Sequence, residues 1–224
     1  MIIYGDFNCP YSYLASMHAD ALLKAGIPVE WRAIEHAPGL PITGRRLDSA
    51  AQAELDDELK GLRELALSDE GLPGTPVCFV PNTRAAVAGY AEAFEAGVGD
   101  TVRRLLFDAY WTRGLDIGSP DVLQSLLAPA IRNGSSAAFP LREAGLAVST
   151  NRGPITLSAY RRIEDWANAW DRIETLTTPT VFDDTTAATG RVALPQLAAL
   201  VPREATRANP TDASPSEASV RAAA

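Results

Sequence analysis

The first 34 residues constrain the fold more tightly than any other stretch of the chain. Residues 2 to 7, Ile-Ile-Tyr-Gly-Asp-Phe, form a short apolar run rich in strand formers, and the turn signal Asn8-Cys9-Pro10 follows at once. A helix is expected next: Leu14, Met17, Ala21 and Ala25 recur at helical spacing, Pro10 suits a first turn, and Gly26-Ile27-Pro28 ends it. Residues 28 to 34 then alternate as a second strand. Strand, helix, strand in so short a span is a βαβ unit, whose right-handed crossover makes its two strands parallel. The opening therefore specifies an α/β domain.

A helical block follows. Residues 36 to 44 are a Pro/Gly-rich loop, and residues 49 to 70 carry strong helix formers broken only by Gly61. Val87, Tyr90, Ala91 and Phe94 mark one amphipathic helix, and Val102, Leu105, Leu106, Ala109 and Tyr110 mark another. Gly118-Ser119-Pro120 opens a third through Val122, Leu123 and Leu126. After a Gly/Ser break at 134 to 136 come a short helix near 141 to 147 and a longer one presenting Tyr160, Ile163, Trp166, Ala167, Trp170 and Ile173. Thr178 to Phe182 is a strand entered through a proline, with Arg191-Val192-Ala193 expected beside it in a hairpin. Leu194, Leu197, Ala198 and Val201 close the fold as a helix, and residues 203 to 224, rich in Ala, Ser, Thr and Pro, read as a disordered tail. The order β-α-β, helices, β-β-α describes an α/β domain with an all-helical insertion.

Composition narrows the partners. The net charge is −8 with no Lys/Arg cluster, which argues against nucleic acid and anionic membranes. Two cysteines and two histidines are too few for a disulfide scaffold or a Cys-based zinc site, so no metal is expected. The amino terminus lacks a basic lead, and no apolar run approaches the roughly 20 residues of a spanning helix. The expected location is the cytoplasm, where a cysteine is a reactive or buried thiol before it is half of a bridge.

Three segments bear chemistry. Cys9 stands where the first strand meets the first helix, among unpaired N–H groups and the positive end of the helix dipole, both of which favour thiolate. Ser12 takes the second position of a Cys-X-X-Cys spacing; its hydroxyl can donate to the Cys9 sulfur but cannot resolve a mixed disulfide. The other reading of Cys9 is a small buried apolar residue in a tight turn. Thr178-Pro179 before a strand is a candidate cis bond, offering the N–H and C=O of Thr178 to an extended ligand. Pro81-Asn82-Thr83-Arg84 starts a helix, with Asn82 or Thr83 as its cap. Of the other polar residues, Cys78 reads as a buried packing thiol and is also the only candidate resolving thiol for Cys9. His18 lies off the apolar stripe of its helix and is expected to face solvent. His36 begins the Pro/Gly loop and is placed to border the cleft, Trp166 and Trp170 suit the core, and Arg45-Arg46 are candidate anchors for an anionic substrate.

In order, Asp6-Phe7-Asn8-Cys9-Pro10-Tyr11-Ser12-Tyr13-Leu14, Val29-Glu30-Trp31-Arg32, Pro81-Asn82-Thr83-Arg84-Ala85-Ala86, Leu115-Asp116-Ile117-Gly118 and Thr178-Pro179-Thr180-Val181-Phe182 resemble the DsbA-like thioredoxin superfamily. Within it they are similar to the branch of FrnE-type oxidoreductases, 2-hydroxychromene-2-carboxylate isomerase and kappa-class glutathione transferases. The resemblance implies one domain over residues 1 to 202, with a thioredoxin core of about 1–36 and 150–202 and a helical insertion of about 45–149. It places Cys9 on the oxidoreductase nucleophile, or on the active-site serine of the isomerases and transferases, whose motif is Ser-Pro-Tyr-Ser. Pro10 and Tyr11 fall within that motif, Pro179 falls on the cis-proline with Thr178 before it, and Asn82 on an asparagine of the cleft. Two departures matter. Ser12 replaces the second redox cysteine, and Thr189-Gly190-Arg191 puts an arginine where glutathione-binding members carry an aspartate for the γ-glutamyl ammonium. The expected function is a thiol-disulfide oxidoreductase acting through Cys9, with Ser12 beside it, on small-molecule or protein disulfides. The alternative is a thiol-cofactor-dependent isomerase or transferase. No tightly bound cofactor is expected, a low-molecular-weight thiol being the candidate cosubstrate, and the resemblance allows a homodimer. A non-catalytic binding module on the same scaffold is a third reading.

Overall fold

The computed structural model describes residues 1–68, 70–72, 77–134, 143–173, 177–183 and 186–202. The βαβ opening is present as β1 (Ile2–Gly5), α1 (Pro10–Lys24) and β2 (Glu30–Ala33), the strands parallel with Ile2 opposite Glu30 and Gly5 opposite Ala33. Against the other side of β1 runs β5 (Thr180–Asp183), antiparallel, followed by β6 (Thr186–Thr189), so the sheet order is β2-β1-β5-β6. Gly5 is required by packing: a Cβ there would fall 2.3 Å from the Trp31 ring.

The partner of β5 is Thr186–Thr189 and not the Arg191-Val192-Ala193 segment expected from the sequence. At Gly190 the chain takes φ of 58° and its N–H donates to the Pro179 carbonyl at 2.7 Å, which ends the ladder. Residues Gly190–Val192 then make a 3₁₀ turn into the last helix, Ala193–Leu200.

Between the two halves of the sheet lie α2 (Ser49–Arg63), α3 (Arg84–Glu95), α4 (Gly99–Phe107) with a π-helical turn at Asp108–Thr112, and α5 (Pro120–Arg132). The next helix, α6, is Leu157–Asp171, and Ala193–Leu200 is α7. Asp48 caps α2 by accepting from the Ala51 N–H at 2.9 Å, and Thr156 caps α6 by accepting from Ala159 at 3.1 Å. Helix α2 stops at Arg63, short of the expected residue 70; Leu65 N–H turns back to the Leu62 carbonyl and Glu70 accepts from Leu67 N–H. A further pair, β3 (Arg45–Arg46) with β4 (Phe79–Val80), closes the loop that the sequence leaves irregular. The tail expected over 203–224 and the start of the helix expected near 141–147 lie outside the described residues. Among the described residues no helix is long and apolar enough to cross a membrane.

Helix α3, rich in alanine, is buried from Ala85 to Ala93 and carries the core. Phe7 meets Tyr90 and Phe107, and Trp166 packs on Tyr90 and Phe94, while the Trp170 indole donates to Thr180 Oγ1 at 3.0 Å. Both α6 tryptophans are thus core residues, whereas Tyr160 is exposed.

Helix α1 corrects a second expectation. It packs against α2, α4 and α7 at once, so Ser12, Ser16 and His18 are buried while Ala25 is exposed. His18 is fully enclosed, its Nε2 3.0 Å from Glu70 Oε2 though not aligned for a hydrogen bond. Ser16 accepts from Arg103 of α4, which also pairs with Asp20.

Candidate active site

The β1–α1 turn places Cys9 at the N-cap of α1 in an extended conformation. Its N–H donates to the Asp6 carbonyl at 3.2 Å, and its carbonyl opens the helix by accepting from Tyr13 N–H at 3.0 Å. Thr178-Pro179 is cis, and the Thr178 carbonyl accepts the Cys9 thiol at an S···O distance of 3.4 Å. The sulfur therefore lies between the start of a helix and the loop preceding β5.

A cleft of about 380 Å³ opens over this junction. The β1–α1 turn contributes Asn8, Cys9, Pro10 and Tyr11 to its lining, the segment before β5 contributes Thr177 and Thr178, and His36, Ala37, Leu40, Arg45, Glu58 and Val80 complete it. A volume of this size suits a small organic ligand.

The residue beneath the turn is Asp6, fully buried. Its Oδ2 accepts from the His36 N–H at 2.9 Å and lies 2.7 Å from His36 Nδ1, while Oδ1 has no partner. Burial alone would lower the His36 pKa, but the Asp6 hydrogen bond and charge, with the Glu35 charge, outweigh it and raise the value. Glu35 is itself raised, by burial first and by Asp6 second. The Tyr11 phenol, partly buried and hydrogen-bonded to Glu58, is pushed up to about 12.

The ionisation of Cys9 departs from the sequence expectation. Only 6% of the residue is exposed, and burial pushes the thiol above its ordinary range. Hydrogen bonds from the side chain of Thr178 and from the side chain and N–H of Ser12 pull the other way, and the Asp6 charge adds to the rise. Desolvation shifts reach several pK units, whereas a helix terminus is worth about 0.3–1 kcal/mol, under one unit of about 1.36 kcal/mol. The resting group is a thiol.

Ser12 is fully buried behind the cleft, its Oγ accepting from Asp6 N–H at 3.3 Å, which leaves the hydroxyl hydrogen for the sulfur. Asn82 is near the site but does not line the cleft: its Nδ2 donates to Glu35 at 3.2 Å and to the Leu40 carbonyl at 3.0 Å. Its Oδ1 accepts from Arg84 N–H at 3.1 Å, so Asn82 fastens the 35–40 loop to the start of α3, where Thr83 is the N-cap residue. Cys78, expected to be buried, is exposed and lies outside the cleft lining. Of the residues singled out in the sequence, Cys9, Pro10, Tyr11, His36, Arg45 and Thr178 therefore meet at one cleft. The Asp6–His36 pair and Glu58 were not singled out; a carboxylate closing an apolar strand is the one local signal that pointed to Asp6.

Residues 1–137 match the model of the DSBA-like thioredoxin domain. The chain belongs to this DSBA-like family. Among solved structures, 2-hydroxychromene-2-carboxylate isomerase superposes with a TM-score of 0.59 at 19% identity, over 89% of this chain and 93% of the isomerase. A probable DsbA oxidoreductase from Streptomyces coelicolor gives 0.60 at 16% identity, over 89% and 88%. The cytosolic disulfide reductase DsbM from Pseudomonas aeruginosa, solved with GSH, gives 0.56 at 17% identity, over 89% and 95%. Comparison with curated proteins by sequence finds no match. The DSBA-like fold, a thioredoxin-like α/β domain with a helical insertion, is thus shared with both oxidoreductases and an isomerase.

Proposed function

We propose that this DSBA-like protein is a thiol-disulfide oxidoreductase that works through the single thiol of Cys9. One observation carries the reading: the Cys9 sulfur opens onto the cleft with Ser12 and the Thr178 carbonyl as its partners. In the reaction the sulfur attacks a substrate disulfide as its proton passes to solvent. A Cys9–substrate disulfide forms, the substrate S–S bond breaks, and one substrate thiolate leaves. The Ser12 hydroxyl and N–H stabilise negative charge on the sulfur as the proton departs.

Ser12 has no thiol to complete a dithiol cycle, and Cys78 lies exposed outside the cleft lining. Release of the mixed disulfide then falls to an external low-molecular-weight thiol, as a reducing compartment supplies. The deciding experiment follows release of a chromophoric thiol from a disulfide probe at graded pH, in a Cys78→Ser background because the exposed Cys78 would react with the probe as well. The rate is expected to rise through a midpoint above that of a model thiol, ~8.5, and to vanish in Cys9→Ser. An undiminished rate in Cys9→Ser ends the reading.

A second reading draws on the burial of Cys9. A thiol that stays protonated on a carbonyl can be a wall of the site, with a bound small thiol making the bonds in an isomerisation or transfer. Saturable binding of such a thiol, with isomerase or transferase activity surviving in Cys9→Ser, would favour it.

A further inference from the structure

We propose that His36 and Arg45 form an anion-binding subsite in the Cys9 cleft, one that takes a carboxylate carried by the thiol or disulfide substrate. The proposal rests on the oxidoreductase reading for its sulfur chemistry.

The argument starts from the side of His36 that does not face the cleft. Asp6, fully buried, accepts both the His36 N–H and Nδ1–H, so one ring nitrogen is committed. When the ring is protonated, Nε2–H is its second donor, and 32% of the His36 side chain is accessible in the cleft lining. The carboxylates that bear on His36 are Asp6 from the β1–α1 turn and Glu35 from its own loop, and neither lines the cleft. Negative charge thus stands behind the imidazole, and protonation of the ring puts a positive charge in the cleft lining.

Arg45 comes from a different element. Its backbone is fixed by pairing with Val80, another residue of the cleft lining, and among the described residues its guanidinium has no ion-pair partner. A planar fork without a partner, in the same lining as a protonated imidazole, is the donor set for a carboxylate. The acidic residue in the lining is Glu58; it already accepts the Tyr11 phenol, and Arg191 faces the same pair. The first turn of α1, through Pro10 and Tyr11, adds the positive end of its dipole to the same space.

The test compares two disulfide probes on the full chain carrying Cys78→Ser, since the exposed Cys78 would react with both: dithiobis(nitrobenzoate), which carries carboxylates, and dithiodipyridine, which is neutral. With each, Cys9 forms a mixed disulfide and expels one chromophoric thiol, so the ratio of the two rates, divided by that for a free model thiol, cancels the reactivity of the sulfur. The ratio is expected to exceed one and to fall about tenfold in Arg45→Gln, as loss of one charge-assisted contact implies. Arg46→Gln, on the same strand but outside the lining, should leave it unchanged. The ratio should also fall as pH rises from about 6 to about 9, and His36→Gln should flatten that dependence. A ratio of one in the Cys78→Ser parent, or one untouched by Arg45→Gln, overturns the subsite. If neither probe reacts, the oxidoreductase reading fails and direct titration with nitrobenzoate decides the subsite: binding that Arg45→Gln abolishes supports it, and no binding overturns it.

Discussion

At the scale of single residues the site is governed by charge out of reach of water. Cys9 has the helix start and Ser12 favouring thiolate, and burial with the Asp6 charge favouring thiol; burial is the larger effect. Ser12→Ala removes one favourable partner, so the Cys9 titration should move further up. Its rate with a neutral disulfide near pH 7 should fall about fivefold, the loss of one hydrogen bond of about 1 kcal/mol to the thiolate. The same change leaves the Asp6 N–H without its acceptor and should cost about 1 kcal/mol in urea unfolding. An unmoved titration midpoint would remove Ser12 from the mechanism. His36 supplies a stability prediction of definite sign. Its folded pKa is raised, so its contribution is complete below the unfolded value of about 6.5 and is lost as pH climbs through the raised one. His36→Gln should therefore destabilise the protein at about pH 5.5 and progressively less toward about pH 9; a penalty that grows with pH would show the Asp6 pair to be misassigned.

Between elements, the joint that matters most for the insertion is Glu92. It sits fully buried on α3 and accepts the N–H groups of Ile155 and Thr156 at 2.7 Å each and the Thr156 hydroxyl at 2.9 Å. Thr156 is in turn the cap of α6, so one carboxylate fixes where that helix begins. Glu92→Ala would strand two buried donors and should cost about 3 kcal/mol or more, with Glu92→Gln recovering part of it; chemical denaturation reads both. Neither Glu92 nor its partners announce this in the sequence, for the groups that meet are more than sixty residues apart. The same limit explains the other gaps. Helix α1 was read from one apolar stripe, Leu14-Met17-Ala21, yet its polar Ser16 and His18 are buried because Arg103 and Glu70 arrive from distant elements. The two-residue strands β3 and β4 are too short for periodicity, and Thr186-Ala187-Ala188-Thr189 has little strand character without β5 beside it. What the local sequence did carry was whatever a single turn can encode: Cys9 ahead of Pro10, Ser119 ahead of Pro120, and the apolar face of α3. Hence Cys9 and Thr178 are legible as candidates that the structure brings to one cleft, whereas the Asp6–His36 pair, split by 30 positions, is not.

For the molecule as a whole, net charge and local charge point in opposite directions. The chain carries −8, yet the cleft lining sets Arg45 and His36 against Glu58 alone. A global charge excludes polyanions without describing what a single cleft selects. The sheet and the helical insertion also share one core: Phe7, Trp31 and Ile3 from the βαβ unit belong to the same buried cluster as Tyr90, Phe107 and Trp111 from the insertion. Two hydrogen bonds stitch them, Tyr90 Oη to the Trp31 carbonyl and Trp111 Nε1 to the Phe7 carbonyl, each at 3.0 Å. A contiguous core of this kind unfolds as a unit, so far-UV dichroism and tryptophan fluorescence should trace one coincident thermal transition. Trp111→Phe keeps most of the apolar bulk but leaves the buried Phe7 carbonyl unpaired, a loss of about 1–2 kcal/mol that lowers Tm by about 2–8 °C for a chain of this size. Since Phe7 precedes Cys9 in the same turn, the variant should also slow Cys9 toward the neutral disulfide at temperatures well below Tm. Two separate transitions, or a lowered Tm with an unchanged Cys9 rate, would mean that the insertion supports the fold without holding the cleft in shape.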